Sequence, residues 1–291
     1  MDTSKYKIIP DSGFKLSDIR TDDTGKYSDK DKAQTKLSEN IERMSELQSK
    51  LYAQDKYAFL IIFQAMDTAG KDGTIKHVMS GLNPQSTSVH SFKQPSAEEL
   101  NHDYLWRAIK NLPEKGTIGI FNRSYYEDVL VVRVHNMVKE QKIPVTYINS
   151  DIWKTRFRQI KEFERYLFEN GIIPIKFFLH ISKEEQTRRL LERIDNKAKN
   201  WKFSDADLKE REYWNDYQSI YQETINETTT KHAPWYVIPA NKKWFAHLLV
   251  SEIMVNTMES LKLEYPLISK EKEAELKKCR QKLMGEQKIN K

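Results

Sequence analysis

Residues 57–73, YAFLIIFQAMDTAGKDG, constrain the fold of this chain more than any other stretch. The first eight are almost continuously apolar, which predicts a strand buried on both faces of a parallel sheet. A loop with Gly70, Lys71 and Gly73 follows, and a helix-compatible pattern resumes at Thr74. This order of strand, glycine-containing loop and helix is typical of a phosphate-binding loop, because backbone N–H groups and the positive end of the helix dipole face the anion.

The loop departs at two positions from the common phosphate-loop motif G-x-x-x-x-G-K-[ST]. Ala65 replaces the first glycine, and Asp72 replaces the hydroxyl residue. Asp67 and Asp72 would repel a bound phosphate unless a cation accompanied them, and Mg²⁺ prefers oxygen ligands and substrate phosphates. We therefore predict that both carboxylates serve one or two metal ions. The alternative is that Asp72 only stabilises the helix N-terminus and Asp67 only forms the turn.

Charge and cysteine content narrow the class of protein. The net charge of +6 suits an anionic partner: a nucleotide, a nucleic acid, polyphosphate or an acidic surface. A single cysteine, Cys279, excludes an intrachain disulfide framework and a cysteine-cluster metal site. No apolar run is long enough to span a bilayer, and residues 1–13 lack the apolar core of a signal peptide. We expect a cytoplasmic protein with no membrane partner.

Strand and helix patterns alternate along the chain, which predicts one α/β domain with a mostly parallel sheet between helices. Residues 1–30 are predicted to form an irregular arm and residues 269–291 a charged tail. Further strands are predicted at 87–92, 117–121, 173–181 and 234–238, and helices at 31–54, 96–112, 151–169, 182–193, 204–221 and 243–261.

A second polar group follows the strand at 117–121, at the edge where α/β sheets bind ligands. Arg123 can contact phosphate oxygens through two parallel N–H bonds. Asn122 stands where a nucleotide kinase would place a second acid. Glu127 or Asp128 could supply the missing charge, or either could be a solvated helix residue.

Basic residues cluster after the strand at 173–181. Arg188, Arg189 and Arg193 recur at helical spacing, and Lys197, Lys199 and Lys202 follow. A charge run is usually a solvated face, but this run stands where a nucleoside monophosphate kinase has its lid, whose arginines neutralise the moving phosphoryl group. We favour a lid at about residues 188–215. The histidines have no zinc-ligand spacing, and His77 and His90 are expected to be structural.

Five motifs together resemble the polyphosphate kinase 2 family. They are FQAMDTAGKDGTI (63–75), LNP (82–84), FNRSYYEDVLVVRVH (121–135), SKEEQTRRLLERIDNKAKNWKFSDAD (182–207) and PWYVIPANKKWF (234–245). This family is similar to thymidylate kinase in fold and moves phosphoryl groups between inorganic polyphosphate and nucleotides with Mg²⁺ or Mn²⁺. The resemblance implies a P-loop kinase-like domain over residues 1–291 with a helical lid.

The resemblance also implies roles for individual residues. Asp67 and Lys71 would be essential, Asp72 would assist on the metal or acceptor side, and the basic stretch after Arg188 would follow the polyphosphate chain. The predicted catalytic residues are Asp67, Lys71, Asp72, Arg123 and Arg189. The predicted substrate-binding residues are Ala69, Gly70, Gly73, Thr74, Asn122, Arg188, Arg193, Lys197 and Lys202. The predicted metal ligands are Asp67, Asp72 and Glu127.

Asn122 stands where many family members have aspartate, and with Glu127 it resembles the subgroup called class III, which accepts nucleoside mono- and diphosphates. We therefore predict transfer of the terminal phosphoryl group of polyphosphate to ADP and also AMP, with guanine nucleotides left open. We expect a homodimer or homotetramer and no nucleic-acid partner. The alternatives are an ATP-dependent nucleoside monophosphate kinase, disfavoured by the altered loop, and a non-enzymatic polyanion-binding protein, disfavoured by the loop carboxylates.

Overall fold

A five-stranded parallel sheet forms the centre of the protein. The structure, a computed structural model, describes residues 1–289, except for the side chains of Lys202 and of residues 286–289. The strands are β1 (Ala58–Ala65), β2 (Thr87–Ser91), β3 (Ile118–Asn122), β4 (Ile172–His180) and β5 (Trp235–Pro239). They lie in the order β2-β3-β1-β4-β5, and every neighbouring pair is parallel. The predicted α/β class with a mostly parallel sheet is confirmed.

Helices flank the sheet in two groups. The helices are α1 (Lys30–Gln54), α2 (Lys71–Val78), α3 (Trp106–Ile109), α4 (Val131–Val134), α5 (Ile152–Glu169), α6 (Lys183–Asp195), α7 (Asp205–Glu212), α8 (Trp214–Thr228), α9 (Lys243–Ser260) and α10 (Lys270–Ile289). In one group α1 and α2 pack on α9, and in the other α5 packs on β4 and α8. None of the helices in residues 1–289 is both long and apolar enough to cross a membrane.

The position of β1 explains its composition and the place of the site. Every residue of β1 is buried, because the strand lies between β3 and β4 and is covered by helices. The chain leaves β1 toward β2 and β3, then crosses back to β4 and β5 on the other side. In open α/β sheets ligands bind at such a reversal, outside the carboxyl ends of the strands. The loop after β1 lies at that edge.

The N-terminal arm packs on the far side of β5. Ile8 N donates to Trp235 O at 2.9 Å, and Thr229 Oγ1 donates to Ile8 O at 3.1 Å. Two short 3-10 turns, Ser4–Tyr6 and Leu16–Asp18, are the arm's only regular elements among the described residues. At the other end of the chain, α10 is exposed from residue 270 to residue 285. Residues 290 and 291 of the predicted tail lie outside the described residues.

Two helices predicted as continuous are interrupted. The prediction of one helix over 96–112 is wrong: a 3-10 turn at Glu99–Asn101 ends where the backbone becomes extended at His102, and the Asp103 side chain accepts from Leu105 N just before α3. The prediction over 204–221 is wrong at Tyr213, whose N–H bonds to Glu210 O three residues back. Local side-chain and 3-10 hydrogen bonds compete with the helical pattern at both places.

The buried centre of β1 gives a stability prediction. Ile61 is 0% exposed, so Ile61→Ala removes buried methyl groups and leaves a cavity. We expect a loss of about 2–5 kcal/mol in the free energy of unfolding, measured by urea denaturation. Ile9→Ala, at a side chain that is 60% exposed, is the control and should change that free energy by less than about 0.5 kcal/mol. Equal effects of the two substitutions would contradict the described core.

Candidate active site

The phosphate loop, residues 66–70, joins β1 to α2 at the carboxyl edge of the sheet. Gly70 has a φ of 102°, a left-handed conformation that glycine adopts without strain. Arg189 Nη1 lies 3.6 Å from the point where a Cβ of Gly70 would stand. Thr74 N donates to Gly70 O at 2.9 Å, so α2 starts directly from the loop. The sequence pattern of strand, loop and helix is therefore present as predicted.

Lys71 folds back over the loop toward the end of β1. Its Nζ donates to Ala65 O at 3.2 Å. Burial lowers the pKa of Lys71, and the nearby Arg123 acts in the same direction, while three carboxylates around the ammonium oppose them. An anion bound beside Nζ would raise the pKa of Lys71 in the same way as those carboxylates and so favour the charged lysine.

Arg123 connects the end of β3 to the phosphate loop. Its φ is 63°, an uncommon conformation for a non-glycine residue, and its N–H donates to Phe63 O at 3.0 Å. Nη2 lies 3.1 Å from Asp67 Oδ1, and Nη1 lies 3.7 Å from Glu127 Oε2. The structure thus brings together Asp67, Arg123 and Glu127, which the sequence places on separate segments.

Asn122 contacts the first turn of α2. Its Nδ2 donates to Asp72 Oδ1 at 2.8 Å. An aspartate at position 122 would instead place two carboxylates at hydrogen-bond distance, and like charges that close destabilise each other. The neutral amide instead gives Asp72 Oδ1 a hydrogen-bond donor.

The three predicted metal ligands do not form a single cluster. Within the described residues no group of three or more His, Cys, Asp or Glu side chains is arranged to hold a metal ion. Mg²⁺ commonly uses one or two carboxylates together with waters and substrate phosphates. The Asp67 side chain is 34% exposed and, like the Asp72 side chain, lines the cleft. Two carboxylates open to water and to a substrate phosphate fit a hard divalent cation.

Glu127 lies beneath Arg123 rather than on the wall of the cleft. Its side chain is 14% exposed. Burial raises the pKa of Glu127, while Arg123 and Lys71 lower it. In this structure Glu127 forms an ion pair with the Arg123 guanidinium.

Arg189 holds the phosphate loop through main-chain contacts. Nη1 donates to Thr68 O at 3.0 Å and to Ala69 O at 2.8 Å, and Nη2 donates to Ala240 O. Nε donates to Glu185 Oε1 at 2.7 Å. The side chain is buried, so Arg189 fixes the loop against α6 and the end of β5. Its direct contact with a phosphoryl group stays a prediction.

The remaining basic residues of the predicted lid lie on different surfaces of the protein. Arg193 lines the cleft and lies 3.5 Å from Asp207 Oδ2 of α7. Arg188 pairs with Glu185 at 2.6 Å and, like Lys197, lines a separate depression on the outer surface. The side chain of Lys202 lies outside the described residues.

An open cleft of about 710 Å³ lies over the phosphate loop. The predicted residues on its wall are Asp67, Ala69, Gly70, Lys71, Asp72, Gly73, Thr74, Asn122, Arg123, Arg189 and Arg193. The wall also contains basic and histidine side chains to which sequence reasoning gave no site role, namely Lys93, Lys243, His77 and His247. The PWYVIPANKKWF motif includes Lys243 and was the sequence signal that could have assigned this residue to the site.

The half-buried His247 gives a prediction on pH and stability. Its ring stacks on His77 at 4.8 Å, and burial, helped by His77 and Lys243, lowers the pKa of His247 to about 4. Because the unfolded pKa is higher, near 6.5, the unfolded chain takes up the proton first as the pH falls. The stability that the neutral His247 contributes above pH 6.5 is therefore lost as the pH falls from about 6.5 to about 4.

We expect His247→Asn to reduce that loss by about 1–2 kcal/mol, since the ring is only half-buried. The measurement is the free energy of unfolding at pH 7 and at pH 4.5. His102→Asn, at an exposed histidine outside the cleft, is the control. An unchanged pH dependence in His247→Asn would contradict the prediction.

The fold and site define a protein of the P-loop kinase-like class. Residues 27–266 match the family described as Polyphosphate kinase 2 (PPK2), and the chain belongs to this family of phosphotransferases. It is 50% identical over 260 residues to an ADP-polyphosphate phosphotransferase of Rhodopseudomonas palustris, covering 89% of this chain and 90% of the relative. It is 48% identical over 263 residues to an AMP/ADP-polyphosphate phosphotransferase of Meiothermus ruber, covering 90% and 95%.

A solved structure supports the same assignment. The crystal structure of polyphosphate kinase 2 from Arthrobacter aurescens superposes on this chain with a TM-score of 0.84 at 38% identity. The alignment covers 93% of this chain and 94% of that chain. The predicted family and P-loop kinase-like fold are therefore confirmed, and the chain is a transferase.

Proposed function

We propose that this enzyme transfers the terminal phosphoryl group of inorganic polyphosphate to ADP and to AMP, with Mg²⁺ or Mn²⁺ as the metal. The observation that carries the proposal is the meeting of Lys71, Arg123 and Asp67 in an open, basic cleft at the carboxyl edge of the sheet. The names of the Rhodopseudomonas and Meiothermus relatives support ADP and AMP as acceptors.

The geometry suits catalysis by positioning and charge neutralisation. Lys71 and Arg123 would face the phosphoryl group as it moves, and this is the charge that a kinase must stabilise. Arg123 has Glu127 as a second partner, so its guanidinium can turn from Asp67 toward phosphate without losing every counter-charge. Asp67 would hold the metal ion, with Asp72 nearby, and the ion would neutralise phosphate charge. An acceptor phosphate is already ionised near neutral pH, so this scheme needs no general base.

The wall of the cleft offers a path for a long polyanion. Arg193, Lys199 and Lys243 line it beyond the phosphate loop, and Arg188 lies on the adjoining outer surface. A single nucleoside triphosphate would need fewer cations than a polymer does. This extended charge favours polyphosphate over ATP as the donor, and so does the presence of Ala65 and Asp72 where the common motif has a glycine and a hydroxyl residue. We keep a homodimer or homotetramer as the expected assembly, which light scattering after size-exclusion chromatography would test.

A luminescent ATP assay tests the acceptors. The purified enzyme receives long-chain polyphosphate, Mg²⁺ and either ADP or AMP. We expect ATP from ADP at once, and from AMP after a lag in which ADP accumulates, with both reactions stopped by a chelator and restored by Mg²⁺. ATP from ADP alone would remove AMP from the proposal, and no product from either acceptor would overturn it.

A further inference from the structure

A buried ion pair contacts the turn that follows Arg123. Lys176 Nζ on β4 lies 2.6 Å from Glu164 Oε2 on α5, and both side chains are 0% exposed. Removing two charges from water is costly, and a well-packed apolar pair is often at least as stable. Stability alone therefore gives a weak reason for charges at these two core positions.

The pair is joined to two consecutive tyrosines. Glu164 Oε1 accepts hydrogen bonds from Tyr125 OH and Tyr126 OH, both at 2.8 Å. Lys176 Nζ donates to Tyr126 OH at 3.0 Å and to Thr228 O at 2.8 Å. Each charged group thus has several partners, and a satisfied buried network of this kind specifies one local arrangement.

The two tyrosines lie between Arg123 and Glu127 in the sequence. They begin the 3-10 turn Tyr125–Asp128, which is separated from Arg123 only by its N-cap residue Ser124 and contains Glu127. Arg123 has a φ of 63°, and a backbone conformation of this kind persists only where its surroundings enforce it. The tyrosine hydroxyls are side-chain anchors of this turn on α5 and β4.

We propose that Glu164, Lys176, Tyr125 and Tyr126 form a positioning network that fixes Arg123 and Glu127 for phosphoryl transfer. The four residues contact the core and each other, so they act through Arg123 and not on the substrate. The proposal rests on the proposed function in one respect only, namely that Arg123 serves the transferring phosphoryl group. It assigns a purpose to a buried charge pair that lies outside the cleft wall.

Conservative removal of the hydroxyls tests the network. The Tyr125→Phe/Tyr126→Phe double variant keeps both rings and loses both hydrogen bonds to Glu164. We expect kcat with polyphosphate and ADP to fall by about tenfold or more, because small displacements of a catalytic group are costly. We expect KM for polyphosphate to change by less than about threefold, since the cleft cations on α6 and α9 are untouched.

Tyr6→Phe is the matched control. Tyr6 is buried and its hydroxyl donates to the Asp23 carboxylate at 3.0 Å, away from the cleft. It should lower the melting temperature but leave kcat unchanged. Equal kcat in the double variant and in Tyr6→Phe would overturn the proposal.

Hydrogen exchange provides a readout that does not depend on turnover. We expect the amides of residues 122–130 to exchange faster in the double variant than in wild type, and to be unaltered in Tyr6→Phe. Unaltered exchange in the double variant would overturn the proposal even if kcat fell. An inactive wild-type enzyme would instead overturn the proposed function, and the exchange data would still decide whether the network fixes the turn.

Discussion

Lys71→Ala is expected to lower kcat with polyphosphate and ADP by about 10²–10³-fold, the loss typical for one electrostatic group aimed at the reacting centre. The Lys71 ammonium donates to the carbonyl of Ala65 at the end of β1 and lies close enough to Asp67 and Arg123 to feel their charges, so we expect it to contact the transferring group. Alanine leaves that position without a charge. The measurement is the initial rate of ATP formation at saturating polyphosphate and ADP.

Lys76→Ala is the control for this substitution. Lys76 is exposed on the same helix, α2, and does not line the cleft. It should keep the wild-type rate. A folded Lys71→Ala enzyme with a wild-type rate would show that the phosphate loop is not the reacting site.

Asp67→Asn is expected to lower kcat by about 10²-fold and to raise the Mg²⁺ concentration needed for half-maximal rate. The amide keeps the shape of the side chain but loses the charge that would hold the metal ion and that now pairs with Arg123. The rate is measured across a Mg²⁺ titration at fixed polyphosphate and ADP. Asp11→Asn, at an exposed residue with a φ of 60° that asparagine tolerates, is the control.

The same variant separates an enzyme from a simple binder. A polyanion-binding protein should keep or increase its affinity for polyphosphate when Asp67 loses its charge, with no other consequence. A folded Asp67→Asn protein that retains wild-type turnover and metal dependence would contradict the role assigned to Asp67.

The central part of the fold and site could be predicted because its signals are local. The apolar run of β1 and the loop after it lie within seventeen consecutive residues, 57–73. Asp67 and Arg123 could be placed near each other because the carboxyl ends of parallel strands share one edge of the sheet. The pairing of β1 with β3 then brings Arg123 Nη2 to 3.1 Å from Asp67 Oδ1.

Other features depend on tertiary contacts that the sequence pattern does not contain. Arg188 and Arg189 are consecutive, yet one faces solvent and the other is buried against the phosphate loop, because neighbours on a helix point about 100° apart. His247 and Lys243 reach the cleft from a helix more than 160 residues after the loop. The pairing of Lys176 with Glu164 likewise requires α5 to pack on β4.

The identity of the phosphoryl donor tests the central claim most directly. AMP is supplied with Mg²⁺ and either polyphosphate or ATP, and ³¹P NMR follows the consumption of the donor and the appearance of the β-phosphate of ADP. We predict that ADP forms with polyphosphate in the complete absence of a nucleoside triphosphate, and that Lys71→Ala abolishes its formation. ADP that forms only when ATP is the donor would contradict the account and identify an ordinary nucleoside monophosphate kinase.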